Sequence, residues 1–368
     1  VTSEIGTTDR SGTHAERSGQ IFQPHVKATR SGSRSPRTST ADIICAGMYR
    51  ACSTWQYEVV AHLIEQSGRG ERLGYLMSGE YADLRRAERN AETSVQVADS
   101  RCRVFKSHDA DQVFAQAMRD GSARVIYAYR DVRDVIFSLM HKRGLTFEEL
   151  MRQGMIHQVL ANDRFWMAQP GRLVQRYDDL VARPADGVLE IARFLEIPID
   201  RAEAERIAEM YSQEANRART QALRDRLQQS GIDLDNAANT QICDPKTLLH
   251  WNHLRPGGGG SWVTRAMPRH HAILRRMCSK WLRAHGYPVE MRQPAQVAQS
   301  QLTVRERIEI EMEILVGGMS FLVQSLSRRF PTIARRAKAL LGIGQRDAAR
   351  AKVWSDSDGG KTRGDTAH

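Results

Sequence analysis

The chain has 368 residues, 41% apolar and 26% charged, with 54 Lys and Arg against 43 Asp and Glu and a net charge of +11. This composition is ordinary for a globular protein with room for one large domain plus extensions, or for two domains. The cation excess favours an anionic partner, such as a phosphorylated small molecule, an acidic polymer, a membrane surface or nucleic acid, without choosing among them.

The cysteines, Cys45, Cys52, Cys102, Cys243 and Cys278, are odd in number and form no C-x-x-C pair. This argues against a disulfide framework and a zinc site, and no metal is expected. The N-terminal segment lacks the apolar core of a signal peptide. No uninterrupted apolar run reaches about 18 residues, so no membrane-spanning helix is expected. A reducing, cytoplasmic location fits these features.

Residues 1–40 are rich in Ser, Thr, Gly and Arg and read as a disordered basic arm. Order is expected from Ala41. Asp42 to Ala46 reads as a short buried strand. The turn Tyr49-Arg50-Ala51-Cys52 follows, and then a helix with Trp55, Val59, Val60, Leu63 and Ile64 at helical spacing and Ser53 as its N-cap. Leu73 to Met77, Arg103 to His108, Arg124 to Tyr129 and Leu173 to Arg176 read as further strands, and most of them lead into amphipathic helices.

Strands alternating with helices imply an α/β fold with a parallel sheet covered on both faces. Ligands of such sheets bind beyond the carboxyl ends of the strands. Residues 200–240 read as mostly helical and charged, and a basic helix runs through Ile273, Met277 and Leu282. A boundary is placed near 290, followed by a helical, partly disordered extension over 291–368. Within it, residues 301–345 carry an amphipathic pattern and then a basic stretch.

Four segments at strand ends carry groups suited to a phosphorylated ligand. In Tyr49–Trp55 a strand runs into a helix N-terminus, where backbone N–H groups and the helix dipole attract anionic oxygens. Arg50 adds a charge, Ser53 and Thr54 add hydroxyls, and Trp55 offers a flat face. In Tyr129–Leu139, Arg130 follows a strand and Ser138 lies two helical turns on. In Phe105–Asp109, Lys106 and His108 project to one side of their strand, and a histidine can take a proton from a hydroxyl group. The Gly-rich segment His253–Trp262 allows close backbone approach to a ligand, and Arg255 brings charge to it.

Together these segments resemble the cytosolic-type sulfotransferases. Tyr-Arg-Ala-Cys-Ser-Thr-Trp (49–55) is similar to that family's 5′-phosphosulfate loop, and the 129–139 segment to its 3′-phosphate motif. Phe-Lys-Ser-His-Asp resembles the segment bearing the family's base. Residues 176–197 and 253–262 resemble two further motifs, and all five occur in family order over roughly 41–290.

The resemblance implies a P-loop-like fold, a sulfotransferase domain over 41–290, and transfer of a sulfuryl group from 3′-phosphoadenosine-5′-phosphosulfate (PAPS) to a hydroxyl or amine acceptor. It implies Arg50, Ala51, Cys52, Ser53, Thr54 and Trp55 around the 5′ end and adenine of the donor. Arg130 and Ser138 would hold the 3′-phosphate, together with Arg255, Pro256 and Gly257, and Tyr177 would lie beside the adenine. Lys106 would contact the sulfonate, and His108 would be the general base.

Cys52 stands where the family has glycine, so a glycine-like backbone angle there would strain the loop. Tyr49 replaces a usual Pro and Ala51 a usual Ser, and Pro256 removes one backbone donor.

The acceptor is expected to be a small molecule, a lipid or a carbohydrate. His157, Asp163 and Trp166 are candidate neighbours of its pocket, and residues 301–345 are a candidate contact for a membrane surface or for self-association. The competing enzyme class is a P-loop-like kinase or ATPase, but no G-x-x-x-x-G-K-[ST] occurs in the chain. The competing non-enzymatic class is a membrane-surface or nucleic-acid binding protein. No helix-turn-helix, zinc-finger or RNA-binding signature supports nucleic acid.

Overall fold

A computed structural model of the protein describes residues 41–92, 101–236, 239–240, 242–252, 260, 262–290 and 303–330. The basic arm, Arg255, Pro256, Gly257 and the basic stretch after Phe330 lie outside the described residues.

Five strands, β1 (Asp42–Gly47), β2 (Gly70–Tyr75), β3 (Cys102–Lys106), β4 (Ala123–Tyr129) and β5 (Arg172–Arg176), form one sheet in the order β2-β3-β1-β4-β5. Every pairing is parallel. All six residues of β1 are buried, as a central parallel strand requires when both faces are covered.

Side-chain alternation divides the interior into two cores. Ile43, Cys45, Val104 and Ile126 face one core, and Ile44, Ala46, Phe105, Val125 and Tyr127 face the other. The first core is closed by α1 (Ser53–Gln66), α8 (Pro184–Leu195) and α9 (Arg201–Met210). The second is closed by α3 (Gln112–Arg119), α4 (Val132–Arg143), α5 (Phe147–Arg152), α6 (Met155–Met167) and α12 (Pro268–Ala284).

The remaining helices are α2 (Ser78–Glu92), α7 (Tyr177–Ala182), α10 (Gln213–Gln229), α11 (Trp262–Arg265) and α13 (Val304–Arg329). The sequence reading started the second strand three residues late and did not place α2.

Buried polar groups tie the layers together. Asp42 accepts two bonds of 2.8 Å from Arg103 and one of 3.0 Å from Tyr81 Oη. Asp163 of α6 accepts from Tyr127 Oη at 2.9 Å and from Trp281 Nε1 at 2.7 Å, which fastens α6 to β4 and α12. Trp166 lies wholly in the core. His157 stacks on Phe321 of α13 and sits 3.3 Å from the Ile314 carbonyl. Asp163 and Trp166, read as acceptor-pocket neighbours, are therefore packing residues, and His157 holds α13.

Within Val304–Arg328 of α13 an 18-residue window reaches a mean hydropathy of 1.2, which meets the length and composition of a membrane span. The expectation of no such helix counted only uninterrupted apolar runs, and α13 interrupts its apolar residues with Arg and Glu in its first half and with glycine, serine and glutamine in its second. The helix packs along α5 and α6, and a Cβ on Gly154 would come within 2.6 Å of the Gly317 carbonyl oxygen.

The turn from β1 to α1 has an unusual backbone. Gly47 approaches its neighbours so closely that a Cβ would lie 2.9 Å from Ser53 Cβ and 3.2 Å from the Ala128 carbonyl oxygen. Arg50 (φ 64°) and Cys52 (φ 68°) both adopt the left-handed conformation. Cys52, not Ser53, is the N-cap of α1, and its side chain makes no capping bond. The glycine-like angle suspected at Cys52 is thus present on a residue that carries a Cβ. Cys52→Gly is expected to stabilise the fold by about 1 kcal/mol by removing the steric cost of that angle. Chemical denaturation would measure it, and an unchanged or lowered stability would show that the thiol's packing outweighs the strain.

Candidate active site

The residues that follow β1, β3 and β4 converge beyond the carboxyl ends of adjacent strands. Strand order reverses around β1 here, which is where open α/β sheets bind ligands.

Arg50 Nε donates to Ser138 Oγ at 3.1 Å, and Arg130 donates to the Arg50 carbonyl oxygen at 3.3 Å. Two segments 80 residues apart in sequence are therefore joined at one point. The Arg130 guanidinium lies 4.1 Å from the centre of the Tyr177 ring and 3.5 Å from the Asp134 carboxylate. Asp134 also accepts from the Gly260 backbone N–H at 2.7 Å, which anchors the described end of the Gly-rich segment beside Arg130.

Asp131 is buried. It caps α4 through the Arg133 N–H and pairs with the Arg133 side chain at 2.7 Å.

Lys106 Nζ donates to Thr54 Oγ1 at 2.9 Å, so β3 meets the first turn of α1. That turn contains no acidic residue and no side-chain cap, which leaves its dipole available to an anion. Ser53 and Thr54 are buried there, and half-buried Trp55 lies over Gly187 of α8. Ala51 is buried in the second core, and burial raises the Cys52 thiol to about 11.

His108 stands on the other side of the loop. Its Nδ1 lies 3.0 Å from the Gly47 carbonyl oxygen. A carbonyl can only accept, so Nδ1 carries the proton and Nε2 holds the lone pair when the ring is neutral. The ring is 4.9 Å from that of Tyr49, centre to centre. Asn162 of α6 donates to the His108 carbonyl oxygen at 3.2 Å. Burial and the neighbouring Lys106 charge push the His108 pKa down to about 3.

Lys142 was not singled out from the sequence. It lies on α4 one turn beyond Ser138 and therefore on the same helix face. Burial and the charges of Arg50 and Lys106 lower its pKa to about 7. Arg50 is also lowered, first by burial and then by Arg130. The only sequence signal for Lys142 was its four-residue spacing from Ser138, and in a run of His, Lys and Arg at a helix end that spacing reads as ordinary C-terminal charge.

The site thus gathers Arg50, Arg130, Lys106 and Lys142 around an uncapped helix N-terminus. Nε2 of the neutral His108 ring can accept a proton, and the Tyr177 ring lies against the Arg130 cation. Among the described residues, no group of three or more His, Cys, Asp or Glu is arranged to hold a metal.

The family model for the sulfotransferase domain matches residues 28–286. No curated protein sequence matches the chain. Among solved structures, a mouse sulfotransferase, SULT7A1, complexed with PAP is 15% identical, with a TM-score of 0.45 over 66% of this chain and 84% of that one. Retinol dehydratase with androsterone and the inactive cofactor PAP is 17% identical, with a TM-score of 0.41 over 69% of this chain and 82% of that one. The same enzyme with retinol and PAP gives 17% and 0.41 over 70% and 84%. With more than half of its length matched, the chain belongs to the sulfotransferase domain family, whose members draw the sulfuryl group from PAPS, and it is an enzyme of that class.

Proposed function

We propose that the cationic cradle between β1, β3 and β4 binds PAPS and that His108 serves as the base for transfer to a small-molecule hydroxyl or amine. The observation that carries this reading is the junction of Arg50, Ser138 and Arg130, which brings a strand-to-helix anion loop and a second phosphate clamp together.

In this reading the first turn of α1, with Ser53 and Thr54, receives the 5′-phosphate. Arg130 and Ser138 receive the 3′-phosphate, together with Arg255, Pro256 and Gly257 of the Gly-rich segment. Trp55 and Tyr177 flank the adenine, and Ala51 and Cys52 shape the loop.

The acceptor oxygen or nitrogen attacks sulfur in line. The new bond to sulfur forms as the bond from sulfur to the bridging phosphate oxygen breaks. The acceptor proton passes to Nε2 of His108, and the leaving group is adenosine 3′,5′-bisphosphate. Arg50, Lys106 and Lys142 stabilise the charge that gathers on the sulfonate and bridging oxygen, an arrangement in which positioning and electrostatics supply most of the rate. A free base with a pKa near 3 is always unprotonated but a poor proton acceptor. Binding of the polyanionic donor beside it would raise that pKa and make His108 competent only in the complex.

The acceptor is a small molecule, a lipid or a carbohydrate. The five free thiols agree with a cytoplasmic site of action, and nucleic acid is not a partner in this reading.

The direct test is a thermal shift with adenosine 3′,5′-bisphosphate. At 100 times its Kd the ligand is expected to add about 2.7 kcal/mol of stability. Arg130→Ala is expected to remove most of that shift, and an unchanged shift would take Arg130 out of the site. His108→Ala is expected to lower turnover about 10²–10⁴-fold while leaving the nucleotide shift intact. Full turnover by the variant would reassign the base.

Lys142 is charged below about pH 7 and neutral above it. Affinity for the bisphosphate should therefore be greatest below that pH and fall as pH rises through it, with proton uptake on binding. A one-unit rise of the Lys142 pKa on binding corresponds to about a tenfold change in affinity. Calorimetry across pH 6–9 would show the slope, and Lys142→Met should flatten it.

A further inference from the structure

Ile308, Met312, Leu315, Met319, Leu322 and Leu326 recur along α13 in steps of four and three, the seam of a coiled coil rather than the broader face of a solitary amphipathic helix. These six, with Val304 and Val323 at the edge, are 48% to 74% exposed. The opposite face is occupied. Gly317 packs on the Met151 backbone, Gln324 donates to the Gln153 carbonyl oxygen at 3.0 Å, and Arg269 pairs with Glu309 and Glu313. α13 therefore lies lengthwise on its own domain with a continuous apolar seam turned outward.

We propose that this seam is a homodimer interface in which two copies of α13 pair about a twofold axis. Two observations select a second copy over a lipid surface.

The first is size. The exposed apolar area of the eight side chains is on the order of 800 Å², about what each partner contributes to a standard stable interface and more than a lone surface patch usually presents.

The second is spacing. A bilayer has no holes to be matched at a period of 3.5, whereas a helix does.

Packing on the domain also removes the helix from use as a span, despite its hydropathy.

Light scattering on the full-length protein should give twice the chain's 41.6 kDa. The double variant Leu315→Glu, Leu322→Glu should raise the dimer Kd at least about 30-fold, the effect of losing a central hot spot. The same variant should keep the nucleotide thermal shift, a control for folding that does not depend on dimerisation. For the interface itself, Ile308→Cys protein mixed with Leu326→Cys protein should form disulfide-linked dimers, the mixed disulfide marking antiparallel pairing and self-disulfides marking parallel pairing.

A monomeric wild-type protein would overturn the proposal. Absence of any disulfide-linked dimer from either cysteine variant would take the seam out of the interface. Monomeric protein that floats with phosphatidylserine vesicles, and loses this in the double variant, would assign the seam to a membrane instead.

Discussion

The architecture turns on holding like charges together. Arg50 and Arg130 meet at one hydrogen bond, with Lys106 and Lys142 close by. In water such a group would disperse. Here burial and mutual repulsion depress Arg50 and Lys142. The Asp134 carboxylate beside Arg130, the Tyr177 ring beneath it, and the hydroxyls of Ser138 and Thr54 are among the groups that offset this repulsion. A polyanion is the natural complement, since it relieves repulsion as well as making contacts.

The fold can sustain this because the repulsion is placed where backbone geometry is overdetermined. β1 is buried along its whole length and paired on both sides, so Gly47 and the turn after it are fixed by the Ala128 and Cys45 registers. Two left-handed residues, Arg50 and Cys52, then turn the chain sharply into α1. Strain at a loop of this kind is held in place by the packed strands and helix around it.

Much of this was legible in the sequence. Buried parallel strands such as Ile43-Ile44-Cys45 and Val125-Ile126-Tyr127 announce themselves as apolar runs before a turn, and Arg50, Ser138 and Arg130 just past them do come together. The strained angle at Cys52 was legible from a departure in a known loop pattern.

What escaped depended on tertiary context. α2 is polar along most of its length and shows no strong apolar stripe. Ser53 has the right chemistry for a cap, but the left-handed turn moved the boundary to Cys52. Asp163 and Trp166 have side chains that suit a pocket equally well, and only the fold shows that Tyr127 and Trp281 claim the first and the core the second. Lys142 is one cation in a run of three until the helix face is known. The resemblance carried Arg255, Pro256 and Gly257, but they lie outside the described residues.

α6 has an unexpected place in this scheme. Its first turn is clasped by α13 through His157 and Gly154, and its far end by the Asp163 network. Between them Asn162 reaches the backbone of His108. The family match ends at residue 286, so α13 belongs to none of the shared machinery. It nevertheless acts as an outrigger for the helix that steadies the histidine. Selection on this appendage, or a partner settling on it, would reach the backbone of His108, the proposed base, without touching the proposed nucleotide cradle.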